Sequence, residues 1–171
     1  MVIKLKKVLV LCLALFSTSV LAVDFTGKSA FGYTLGDTLD LQKEKKKSNK
    51  AKITSQESSL LFTKDTGFHD FNQYYVASTP LTGTIFKIGA MESTKNTEKC
   101  MSERNELLSF FEKKYNSEHQ KIPTRESHVI KDVVIGNDIS VTVVCNIRTN
   151  NVVIEFSNLE TSRIQSKEAK K

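Results

Sequence analysis

From Ile139 to Ile147 the chain alternates: Ile139, Val141, Val143, Cys145 and Ile147 fall on one side of an extended backbone, with Ser140, Thr142 and Asn146 largely on the other. A period of two predicts a strand with one buried face, and it turns Cys145 into the core. Cys100 is its natural counterpart. It opens a segment in which Cys100, Leu107, Phe111 and Tyr115 recur at helical spacing, with Leu108 beside them. A helix and a strand that present cysteines to the same core predict a Cys100–Cys145 disulfide. On a chain-entropy estimate, closing that loop stabilises the fold by about 4 kcal/mol. A chain stapled in this way lays its helix on its sheet.

Such a bond persists in an oxidising compartment, and the N-terminus reads as the route there. Lys4, Lys6 and Lys7 precede an apolar run from Val8 to Phe16, and Val20-Leu21-Ala22 follows after three small residues. These are the parts of a secretory signal peptide, residues 1–22, with cleavage between Ala22 and Val23. The apolar run is too short to span about 30 Å of hydrocarbon as a helix. Cys12 would leave with the peptide, and no small residue precedes it to suggest lipidation. Cleavage also lowers the formal charge from +6 to +3 by removing three lysines, which weakens the case for a nucleic-acid partner. The expected product is periplasmic or secreted, without a transmembrane segment. It would form a single domain over residues 23–160, with a polar tail over 161–171 that reads as a solvated helix end or a disordered segment.

Within the domain the predicted order is β-β-α-β-β-β. Strands are expected over Asn72–Thr79, Thr84–Glu92, Val129–Ile135, Ile139–Ile147 and Val152–Ser157. The helix should open at Asn96 or Thr97 and end near Asn116. A two-residue turn at Asn150-Asn151 would pair Thr149 with Val152 and Cys145 with Phe156. This is an α+β domain: an antiparallel sheet of about five strands, one principal helix packed on it and one disulfide. Earlier in the chain, Leu60-Leu61-Phe62 is a candidate strand, and Lys43 to Gln56 reads as a loop or frayed helix. In Phe31-Gly32-Tyr33-Thr34-Leu35-Gly36 the glycines are expected to turn the backbone and set Phe31 and Leu35 into the core, with Asp37 or Thr38 capping a short helix.

Few residue patterns point to chemistry. Gly27-Lys28-Ser29 has the end of a phosphate-binding loop, but that motif needs a glycine where Ala22 stands. His69, His119 and His128 lie in polar surroundings; no nucleophile elbow, no zinc-protease motif and no Cys/His set with metal spacing accompanies them. No cofactor or linear metal site is expected, and a metal site would have to be assembled in three dimensions. Arg104 falls inside the apolar stripe of the helix. A structural ion pair is the expectation for it, with Asp132 as partner if that strand turns inward, ahead of a role as ligand anchor. Phe68, Phe71, Tyr74 and Tyr75 would line the core or, if exposed, a protein-binding patch. Lys43, Lys45, Lys46 and Lys47, continued by Lys50 and Lys52, form a basic run without interleaved aromatics, so base stacking has no platform. It suits a solvated connector or contact with an anionic envelope surface.

The signal peptide, the FG-x-x-LG stretch at Phe31–Gly36, the strands YYVASTP and IFKIGAME, the cysteine-bearing helix ending FFEKKYN and the V-x-V-x-C strand together resemble small bacterial envelope proteins of uncharacterised function. The G-x-x-LG turn alone is also similar to that of small periplasmic outer-membrane assembly proteins. The resemblance implies an exported two-cysteine α+β domain and carries no catalytic residues. Two functional readings follow. One is a non-enzymatic binding protein, an inhibitor or assembly factor, that meets an envelope protein or an anionic surface. The other is a small exported hydrolase with a site assembled from His69, Asp70 and Arg104.

Overall fold

The structure is a computed structural model that describes residues 28–45, 50–53, 58–63, 69 and 71–170. The expected leader and its Ala22–Val23 junction, Lys46, Lys47, Phe68 and Asp70 lie outside the described residues. A small hairpin, β1 (Ser29–Ala30) and β2 (Tyr33–Thr34), precedes the short helix α1 (Leu41–Lys45). Then come β3 (Lys50–Ile53), β4 (Ser58–Thr63), β5 (Gln73–Ser78) and β6 (Ile85–Ser93), followed by the main helix α2 (Thr97–Tyr115). The second half runs β7 (Gln120–Lys121), β8 (Val129–Ile135), β9 (Ser140–Asn146), β10 (Asn151–Ser157) and α3 (Leu159–Glu168).

Strands β3 to β10 form one antiparallel sheet in the order β3-β4-β5-β6-β10-β9-β8-β7. The order is symmetric about the β6–β10 seam. Each half is a four-stranded meander that ends in a helix, and the two halves meet through their last strands. The fold is therefore α+β with one principal helix and one disulfide, as the sequence suggests, but the sheet is larger than the expected five strands. It has seven strands of four residues or more and the two-residue edge strand β7. Of the additional strands, β4 contains the candidate Leu60-Leu61-Phe62, whereas β3 falls in the segment expected to be a loop or frayed helix and is held as a strand by its pairing with β4.

Strand β10 shows the packing plainly, because its residues alternate between partly exposed and buried along its whole length. Val152, Ile154 and Phe156 face inward, and the register extends that face to Cys145, Val143 and Val141 on β9 and to Glu92, Ala90 and Ile88 on β6. The hairpin and α2 cover this side: Phe31 meets Tyr74 and Phe156 edge-on, and Phe111 packs against Phe156. Gly32 and Gly36 have φ of 86° and 97°, a region that favours glycine. These turns bury Phe31 and Leu35, each 3% exposed. The cap of α1 is Asp40, whose Oδ1 accepts the N–H of Lys43, rather than Asp37 or Thr38; Thr38 instead bridges to Thr84.

Helix α2 runs between the expected caps. Asn96 accepts the N–H of Lys99, and Asn116 closes the helix in the left-handed conformation. The Cys100–Cys145 disulfide ties α2 to β9. The β9–β10 register differs from the expectation: Cys145 pairs with Val152, not Phe156, and Asn151 pairs with Asn146. The turn is longer because Asn146 Oδ1 accepts the N–H groups of Arg148 and Thr149, and Asn150 takes the left-handed position. The shift is by an even number of residues, so every side chain keeps its face.

The C-terminal segment is also more integrated than a solvated tail. Asn158 caps α3, and Thr161 and Glu168 are buried. Glu168 accepts the N–H groups of Leu81 and Thr82 and the hydroxyl of Thr82, which clasps the β5–β6 turn. Burial pushes its carboxyl up, but these hydrogen bonds outweigh that and hold its pKa below the ordinary value. Among the described residues, no helix is long and apolar enough to cross a membrane.

Candidate functional site

Helix α2 sorts its charged residues into two groups. Arg104 is buried and engages Asp132 of β8, which is 0% exposed, through Nε at 3.1 Å and through Nη2. Its Nη1 donates to Asn105. The strand register that brings Asp132 inward places it opposite Val143. The guanidinium is thus committed to an internal ion pair. His119 approaches from the end of the helix, where Nδ1 contacts Glu112 at 2.7 Å and Nε2 lies 3.9 Å from Asp132.

Glu103, one position before Arg104, has different partners. It is 5% exposed; Oε2 lies 3.2 Å from Nδ1 of His69, and Oε1 pairs with Lys99 one turn earlier. Burial pushes the Glu103 carboxyl up, yet the hydrogen bonds and charges of Lys99 and His69 outweigh it and hold the pKa below the ordinary range. His69 reaches the helix from the segment before β5, from a left-handed backbone with φ of 49°. Exposed Glu106 completes the group, and His69, Glu103 and Glu106 offer ligand atoms that all lie within 4.8 Å of one another. Of the three residues named for a hydrolase, His69 and Arg104 therefore serve different partners on different elements, and Asp70 lies outside the described residues. Glu103 escaped the sequence reading although it sits three residues after Cys100 and four before Leu107, within the same helical stripe that singled out Arg104.

Among the described residues the basic run divides between α1 and β3, where Lys50 and Lys52 lie. Lys43 is exposed on α1, and the backbone of Lys45 ends that helix. An open groove of about 610 Å³ lies between α3 and the β8–β9 turn. Both signs of charge line it, with Lys28, Arg163 and Lys167 set against Asp138 and Glu160, and Lys28 bonds Glu160 at 3.1 Å. The three cations exceed the two carboxylates by one formal charge.

The broadest uncommitted feature is the face of the sheet opposite α2. Its middle row is Tyr75, Gly89, Glu155, Thr142 and Val133 on adjacent strands. Tyr75 lies across Gly89 and donates its hydroxyl to Glu155 two strands away, and Lys87 joins the same carboxylate at 3.5 Å. Only glycine permits this, since a Cβ at position 89 would fall 2.2 Å from the Tyr75 ring. Met91, Val153 and Val144 form the neighbouring row, all partly exposed. Of the aromatic cluster, Phe71 and Tyr74 are core, and Tyr75 is the member turned to this open side.

The comparisons decide no family. No family model, curated protein or solved structure matches the chain.

Proposed function

We propose that this is an exported, non-enzymatic binding protein whose partner is a folded protein of the envelope, seated on the open face of the sheet. The observation that carries the reading is the one-sided packing: the hairpin and α2 cover one face, while Tyr75, Met91, Val144 and Val153 stay partly exposed on the other. Six long strands at about 4.8 Å spacing and about 20 Å length make a flat area of about 500 Å². That is the scale of a protein partner, each side of a standard interface burying about 800 Å², and it far exceeds what a small ligand covers. Tyrosine and methionine are types enriched at interface cores, and the charges at the centre of this face, Glu155 and Lys87, pair with one another, with Tyr75 donating to Glu155. The N-terminal pattern supports the export part of this reading, as does the disulfide, which favours an oxidising compartment.

Site-specific photo-crosslinking in the envelope tests this. A crosslinker at Met91 or Val153 should capture one stoichiometric partner, and one at exposed Lys113 on α2 should not. Val153→Arg should abolish the capture without lowering the melting temperature. Equal capture from both faces, or capture that survives Val153→Arg, would refute the assignment. Turnover of a hydrolase substrate panel that is lost in His69→Ala would establish the enzymatic reading instead.

A further inference from the structure

We propose that His69, Glu103 and Glu106 form a binding site for a divalent transition-metal ion of the zinc class. Three elements of geometry support it. Glu103 and Glu106 are spaced i,i+3 on α2 and so share a helix face, and His69 is brought to that face from the segment before β5. The three ligand atoms lie within 4.8 Å of one another, and the His69 Nδ1 to Glu103 Oε2 separation is 3.2 Å. Tetrahedral zinc with ligands at about 2.1 Å places them about 3.4 Å apart, so His69 and buried Glu103 already stand at ligand spacing. Exposed Glu106 brings the third ligand atom within 4.8 Å of the other two.

The donor chemistry selects the ion. One imidazole and two carboxylates suit zinc and its neighbours, whereas magnesium and calcium favour all-oxygen sets with more ligands. Lys99 holds Oε1 of Glu103 and thereby turns Oε2 toward His69. A lysine is 49% exposed there and stays outside the ligand set, so it acts as a positioning residue. Three protein ligands leave a tetrahedral ion one position for water. The ion would tie the segment before β5 to α2, which the disulfide already ties to β9.

The experiment is calorimetric titration of the oxidised, chelator-stripped protein with zinc chloride, with magnesium chloride as control and thermal unfolding in parallel. One saturable site for zinc and none for magnesium is expected. Zinc at a hundredfold excess over Kd should raise the melting temperature by about 5–10 °C. Glu106→Gln, an exposed position whose apo form should melt like the wild type, is expected to weaken zinc binding at least tenfold, as is His69→Ala. His119→Gln and His128→Gln should leave it unchanged. Unchanged affinity in both Glu106→Gln and His69→Ala, or the absence of any zinc-dependent rise in melting temperature, would overturn the proposal.

Discussion

Replacing Arg104 with methionine should be among the most damaging single changes in the protein. Asp132 is fully buried, and both guanidinium contacts converge on its Oδ2, while Oδ1 has no hydrogen-bond partner among the described residues. His119 Nε2 lies 3.9 Å from that Oδ1. Methionine preserves the length of the side chain and its packing on α2 but leaves a carboxylate stranded in the core. Breaking one half of a buried ion pair typically costs about 3–5 kcal/mol. With a urea m-value of about 2 kcal/mol/M, the unfolding midpoint of the oxidised protein should fall by roughly 2 M. The double variant Arg104→Met/Asp132→Leu removes both charges and should recover to within about 1 kcal/mol of the wild type, since desolvating the pair offsets most of its attraction. Added salt should change neither result, because the pair is shielded from the solvent ions that screen surface charges. A single variant that loses less than 1 kcal/mol, or a double variant as unstable as Arg104→Met, would show that the pair is not what holds Asp132 in the core.

Three further changes test other parts of the fold. Gly89→Ala should displace the Tyr75 ring and break its bond to Glu155, at a cost of about 1–2 kcal/mol; Tyr75→Phe should then be costly in the wild type and nearly silent in the Gly89→Ala background by urea unfolding. Glu168 has its pKa held low in the folded state. Its contribution should be complete above the ordinary glutamate value of about 4.3 and fade as pH falls through the lower folded-state value. The stability gap between wild type and Glu168→Gln should therefore be largest near neutral pH and shrink in acid, as measured by melting temperature against pH. Asn96→Ala removes the side chain that accepts the N–H of Lys99 and should cost about 1 kcal/mol in chemical unfolding, with a matching loss of amide protection in the first turn of α2.

Legibility followed the range of the forces involved. The ends of α2 could be read because Asn96 and Asn116 satisfy backbone groups within their own turns. The disulfide could be read because helical period on one side and strand period on the other aim both cysteines inward, and β8 was legible to the residue. The β9–β10 register was misread because Asn146 Oδ1 captures two backbone N–H groups and lengthens the turn, a competition that a two-residue Asn-Asn motif does not reveal. The candidate strand Leu60-Leu61-Phe62 lies within β4, whereas β3 escaped because a lysine-rich segment becomes a strand only when a neighbour supplies hydrogen-bond partners. The partnership of His69 with Glu103 spans distant parts of the chain, and no local spacing encodes it.

By itself, then, the sequence determined the local states: which face of each alternating strand is apolar, where α2 begins and stops, and that two cysteines share one core. Tertiary structure alone decided that β6 and β10 meet at the centre and join two meander-plus-helix halves into one sheet. It also decided that Asp132 faces Arg104 and that Tyr75 lies across Gly89 on the open side. The division is physical: hydrophobic period and capping act within a few residues, whereas strand order and buried charge pairing depend on groups that meet only after the chain has closed on itself.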